Sequence, residues 1–241
     1  MIEKSRPVNG FSVDLEDWFQ GLTSTNPLVE SWSSFESRVE PATRHLLDLL
    51  RQCDVRATFF VLGYVANEHP ALIREIRDAG HEIASHGYYH RFVYRLTPQE
   101  FLQDLAIASD SIERATGARP AGFRAPYFSI NASTPWAFEM MASAGLEYDA
   151  SVFPTRNMLY GWPGAPRYPF LVDDAGIMEY PASTISFAGL PMPVSGGFYL
   201  RVLPYAFVKR ALRRLNAAGQ PAIMYLHPWE LDLGQDYGNV T

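Results

Sequence analysis

Cysteine is nearly absent. Cys53 is the only one in 241 residues, so no internal disulfide can form and the fold must rest on its core. It follows a leucine-rich helical stretch and reads as a small buried apolar residue. Long apolar runs are also missing, which excludes an ordinary membrane-spanning helix. The first ten residues are polar, include Pro7 and lack the apolar centre of a secretory signal, so the chain as given reads as soluble and cytoplasmic. Positive charge is in deficit. Lys and Arg number 20 against 26 Asp and Glu, a net charge of −6, and no Lys/Arg run stands out, which argues against a nucleic-acid partner. There is no repeat, linker or low-complexity tract, so residues 1–241 read as one domain. No sequence feature specifies an oligomeric state.

What is present is an ordinary globular balance, with 47% hydrophobic and 19% charged residues. Short apolar runs alternate with amphipathic stretches. Phe11–Leu15, Ala57–Leu62, Glu82–Ala84 and Ala222–Leu226 read as strands. Pro41–Leu50 reads as helix with Leu46, Leu47, Leu49 and Leu50 on its apolar side. Ala71–Ala79 is a second helix, stopped by Gly80. Thr97-Pro98-Gln99-Glu100 has capping-box spacing and opens a third, with Gly117 and Pro120 marking its end. Thr134-Pro135 starts a fourth, and Pro204–Ala218 is the last. Residues 153–193 are rich in Pro, Gly and aromatics and read as long loops with one short strand near Ile177–Tyr180. Strands alternating with helices imply a parallel sheet, which an open doubly wound sheet and a closed barrel satisfy equally.

Five polar segments sit where such strands end. In Asp14-Leu15-Glu16-Asp17, alternation puts Asp14 and Glu16 on one face, where their repulsion is relieved by a cation; a solvent-facing acidic strand end is the plainer alternative. In Ser85-His86-Gly87-Tyr88-Tyr89-His90, two histidines four apart fit one side of a helical turn and can reach one ion. Chance on a surface helix also gives that spacing. Two histidines and a carboxylate at the same end of one sheet leave a coordination position open, as catalytic zinc sites do. Arg124 follows a strand in Phe123-Arg124-Ala125-Pro126-Tyr127 and can pair with Asp14; a surface arginine is the alternative. His227, after the last strand, is a candidate general acid. Asp149 can accept from the His227 ring, or simply cap local backbone.

These five segments, in this order, resemble the motifs of the polysaccharide deacetylase family, the NodB-homology or carbohydrate esterase family 4 domain. The resemblance runs from about Phe11 to Trp229. Asp149–Pro154, Ser195–Arg201 and His227–Glu230 are similar to members linked to exosortase exopolysaccharide clusters. Two departures stand out. The first motif separates its acids by Leu15 where many members have adjacent aspartates, and Gly87 stands where many have Ser or Thr. The resemblance implies a distorted (β/α) barrel of about seven strands, in which a divalent metal, zinc, assists removal of acetyl groups from N-acetylhexosamine residues of a polysaccharide such as a bacterial exopolysaccharide. It implies Glu16, His86 and His90 as metal ligands, with Asp17 as the alternative carboxylate should the strand bulge. It implies Asp14 as base oriented by Arg124, His227 as acid with Asp149 fixing its tautomer, and the backbone N–H of Tyr127 at the oxyanion. Leu226 would wall the acetyl pocket, and Tyr127 and Trp229 would meet the sugar. Hydrolysis of a cyclic amide, as in allantoinase-like relatives, and a silent sugar-binding role are the competing expectations.

Overall fold

The computed structural model describes residues 7–26, 28–157, 160–187, 189–232 and 234. Its elements are β1 (Gly10–Leu15), α1 (Trp18–Gly21), α2 (Val39–Gln52), β2 (Thr58–Val61), α3 (Gly63–Glu68), α4 (Pro70–Asp78), β3 (Glu82–Ser85), α5 (Pro98–Thr116), β4 (Gly122–Phe123), α6 (Trp136–Ser143), β5 (Tyr148–Asp149), β6 (Phe170–Val172), β7 (Ile177–Glu179), β8 (Thr184–Phe187), β9 (Leu190–Pro193), α7 (Gly197–Val202), α8 (Tyr205–Ala217) and β10 (Ile223–Leu226). One sheet runs β10-β1-β2-β3-β4-β5-β7-β6, and β8-β9 form a separate hairpin. Every pairing in the large sheet is parallel except β6 on β7, so seven parallel strands carry an antiparallel edge strand.

The sheet is curled. Arg124, just past β4, reaches Ser12 on β1 at 2.8 Å. Three strand steps separate those strands, about 14 Å in a flat sheet, and an arginine cannot span that. The gap between the two sheet edges is bridged outside the ladder. Ser183, beyond β7, donates its N–H to Ile223 O at 3.2 Å, and its hydroxyl accepts from Ile223 N at 2.8 Å. The expected distorted barrel is therefore an eight-stranded, curled half-barrel.

Strand parity divides the molecule. Val13, Leu15, Phe59 and Val61 point outward and pack against Leu46 and Leu50 of α2, Leu72, Ile73 and Ile76 of α4, and Ile112 of α5. Ser12 and Asp14 point inward. α5 has the predicted ends: Thr97 and Glu100 form a reciprocal capping box, and Gly117 closes the helix in the left-handed region at φ 80°.

Some expectations fail. Cys53 is exposed, because it lies one residue past the last turn of α2, beyond the buried stripe. Leu49 is also exposed, since the inward stripe of α2 runs through Leu46 and Leu50. The segment read as long loops holds β6 and the β8–β9 hairpin as well as the expected β7, and α7 follows it. Among the described residues, no helix is long and apolar enough to cross a membrane.

Candidate active site

The C-terminal ends of β1, β3, β4 and β10 open into a cleft of about 220 Å³. Asp14 is fully buried and held from inside the sheet. Arg124 Nη1 donates to Asp14 Oδ1 at 2.6 Å, and Arg124 Nε donates to Ala150 O at 3.0 Å. The guanidinium carbon lies 4.1 Å from the centre of the Phe60 ring. Arg124 is thus a buried positioning group, not a surface arginine.

Glu16 is the first residue past β1. Its Oε2 lies 2.7 Å from His90 Nε2, and its Oε1 accepts from Trp229 Nε1 at 3.2 Å. One ligand atom each from Glu16, His86 and His90 can be chosen so that all lie within 4.8 Å of one another. The set suits a divalent cation. Glu16 Oε2 is buried with no aligned hydrogen-bond donor, and His86 Nδ1 is taken by Arg124 O at 2.8 Å, which leaves His86 Nε2 free to coordinate. Burial would raise the Glu16 carboxyl, but the imidazoles of His90 and His227 outweigh it and bring it to about 2. Burial pushes His86 down to about 4, so it is a neutral lone-pair donor at neutral pH.

The histidine pair is not on a helical turn. Residues 86–90 form a loop, with Gly87 at φ 74° and His90 at φ 52°. The i, i+4 spacing succeeds for another reason: the loop doubles back and brings the ring centres to 5.1 Å, tilted at 56°. Gly87 is required by that backbone, and a Cβ there would stand 2.8 Å from Asp104 Oδ2. Asp104 on α5 holds the loop by accepting from Tyr88 N at 2.8 Å and from Arg91 at 2.9 Å. Asn26 supports His90. Its Nδ2 donates to His90 O at 3.1 Å and lies 3.2 Å from His90 Nδ1. Tyr127, also left-handed at φ 56°, packs its ring 4.4 Å from that of His90. Phe128, at φ 49°, makes a third, and left-handed backbone at three non-glycine residues of one cleft is strain of the kind that functional sites hold.

Asp17 does not join the ligands. It caps α1, accepting from Trp18 N at 3.0 Å and from Ser37 Oγ at 2.6 Å. Asp149 does not reach His227. It accepts from Ser151 Oγ at 2.5 Å and faces Glu179, its register partner on β7. The acid beside His227 is Glu230, whose Oε2 lies 3.2 Å from His227 Nδ1. The His227-x-x-Glu230 spacing, which is that of a capping box, was the signal available for it. Burial alone would lower His227, yet Glu16, Glu230 and Asp14 together raise it to about 9. Leu226 does not wall the cleft. It pairs with Val13 and packs in the outer core, while its neighbour Tyr225, paired with Ser12, lines the cleft with His227, Trp229 and Tyr127. The residues that sequence reasoning missed are Glu230, Asn26, Asp104, Ser151, Glu179 and Tyr225.

Residues 29–148 match the polysaccharide deacetylase family and residues 150–239 match a domain of unknown function, DUF3473. The chain belongs to the polysaccharide deacetylase family. It is 38% identical over 95 residues to a chitin deacetylase from Colletotrichum lindemuthianum, covering 37% of this chain and 38% of that one. It is 34% identical over 99 residues to the peptidoglycan-N-acetylmuramic acid deacetylase PdaC of Bacillus subtilis, covering 41% and 21%. The chain thus spans well under half the length of these relatives. A solved structure from Mycobacterium smegmatis shares the fold with a TM-score of 0.67 at 24% identity, over 95% of this chain and 79% of that one. Both matched segments build the cleft: the first supplies His86 and His90, the second His227, Trp229 and Glu230.

Proposed function

We propose that the protein is a metal-dependent N-deacetylase of N-acetylhexosamine residues in a polysaccharide. The observation that carries this reading is the Glu16, His86 and His90 triangle lying beside the Asp14–Arg124 pair and His227 in one cleft. A divalent ion held by those three residues, zinc in our reading, would polarise the acetyl carbonyl and acidify water. Asp14, held by Arg124, removes a proton from the attacking water as it adds to the carbonyl carbon. The Tyr127 N–H donates to the developing oxyanion. His227, carrying a proton at neutral pH, passes it to the nitrogen as the C–N bond breaks. Glu230 orients the His227 ring, the role first given to Asp149. Trp229 stacks on His227 with ring centres 5.0 Å apart and borders the cleft where a sugar ring would lie. The products are acetate and a free amine.

The similarity of residues 149–154, 195–201 and 227–230 to exopolysaccharide-linked members supports a bacterial exopolysaccharide as the natural polymer. We also read the chain as one domain, because β10 of the second matched segment pairs with β1. The test is acetate release from N-acetylglucosamine oligomers and from bacterial exopolysaccharide, with chelator and with zinc restored. Release should vanish with chelator and return with zinc. His86→Ala should lose the metal and the activity while keeping its circular dichroism spectrum. Metal-loaded protein that releases no acetate but opens a cyclic amide would overturn the proposal, and a fully active, metal-replete His86→Ala would remove the ligand assignment.

A further inference from the structure

We infer that the face formed by α7 and α8 docks the protein on an anionic lipid surface. The charge of the chain is unevenly distributed. Residues 181–220 carry five of the 20 basic residues and none of the 26 acidic ones, although the whole chain is net negative. Four of these cations, Lys209, Arg210, Arg213 and Arg214, lie on α8. All four are exposed, because α8 buries Val208, Ala211 and Leu215 on its other side.

Elsewhere several surface arginines are neutralised by acids. Arg38 pairs with Asp232, Arg44 with Glu40 and Glu75, Arg91 with Asp104, and Arg119 with Glu113. Among the described residues, no acidic group pairs with any of the four cations on α8. A ridge of unpaired like charges on one helix raises the energy of the free protein and is relieved by an anionic partner.

Exposed apolar side chains of α7 and of the start of α8 say which partner, and Tyr205 lies against the ridge itself, with Lys209 Nζ 5.7 Å from its ring centre. Phe198 is 61% exposed, Val202 57% and Tyr205 77%, and Leu200 is exposed beside them. A nucleic acid or an acidic polysaccharide satisfies the cations but leaves Leu200 and Val202 in water. A bilayer of anionic lipids satisfies both, taking the cations at its headgroups and the apolar side chains at the acyl boundary. Phe198 and Arg201 of α7 also line the cleft, so docking brings the cleft mouth to the lipid surface, where a membrane-held polymer would be met.

The experiment is co-sedimentation of the full chain with vesicles of phosphatidylcholine alone or mixed with phosphatidylglycerol, at low and high salt. Binding should require phosphatidylglycerol and weaken with salt. A variant with Lys209→Gln, Arg210→Gln, Arg213→Gln and Arg214→Gln should bind several hundredfold more weakly, at roughly fivefold per cation. Leu200→Ser with Val202→Ser should weaken binding while keeping its salt dependence. Circular dichroism checks that both variants fold, and sedimentation reads docking without turnover, so its outcome is independent of the deacetylase reading. Equal pelleting with neutral vesicles, or a four-glutamine variant that pellets like the parent, would overturn the inference. So would failure to pellet by a chain that binds heparin or DNA, which would make the ridge a polyanion site.

Discussion

His227 sits among Glu16, Glu230 and Asp14, and its charge is set by all three. In metal-free protein its ring should titrate near 9. The charged form therefore stabilises the fold fully below the ordinary histidine value, and that contribution fades as pH rises through about 9. Glu230→Gln removes one carboxylate and should lower the ring's titration by about a unit, drawing the alkaline limb of kcat down with it. An NMR titration of the imidazole reads this directly, and an unshifted His227 would show that Glu230 does not tune it. The buried pair of Asp149 and Glu179 makes the opposite demand on pH. Burial, followed by the charge of Asp149, raises the Glu179 carboxyl well above its ordinary range. Burial beside Asp149 thus favours the neutral form of Glu179, while Asp149 accepts from Ser151, and Ser151 in turn accepts from Ala125 N at 2.7 Å beside Arg124. Stability from Glu179 is complete below its unfolded value and lost as pH rises through the folded one. Glu179→Gln should flatten the alkaline fall in unfolding free energy, and a denaturation series that keeps the parent's slope would show that Glu179 does not set it.

At the scale of elements, the sequence was most legible where chemistry punctuates a helix. Thr97, Pro98, Glu100 and Gly117 announce α5 because each satisfies or ends the backbone in a way few other residues do. Thr97→Ala should cost about 1 kcal/mol in chemical denaturation. The strands were harder. β4 and β5 are two residues each and β6 is three, too short for alternation to register. The histidine spacing was read correctly as a pair and wrongly as a helix, since a loop with two left-handed residues brings positions four apart together just as a helical turn does. α7 was missed because it is only six residues long and opens on a glycine. That glycine allows close approach: a Cβ on Gly197 would collide with the Glu230 carboxylate. Gly197→Ala should lower kcat through a displaced Glu230 while leaving the melting temperature within a few degrees of the parent's, and unchanged kinetics would show that the carboxylate can yield.

For the whole molecule, the alternation of strand and helix predicted a parallel sheet, and its curl came only with the family resemblance. Parity along a strand depends on register, which the sequence does not display. That is why Leu226 was set inside when Tyr225 faces the cleft, and why Asp149 was aimed at His227 when it faces Glu179. The pairing of β1 with β10 has a consequence for synthesis. Ser12 Oγ donates to Met224 O across 212 residues of chain. A ribosome needs roughly 10–40 s to cover such a distance. Until then β1 can pair with β2 on one side while its other edge stays bare. Inward-pointing charge is one way a bare edge is kept from recruiting a stray strand. Asp14 therefore has an occupation before the cleft exists: its carboxylate guards the open flank of the nascent barrel.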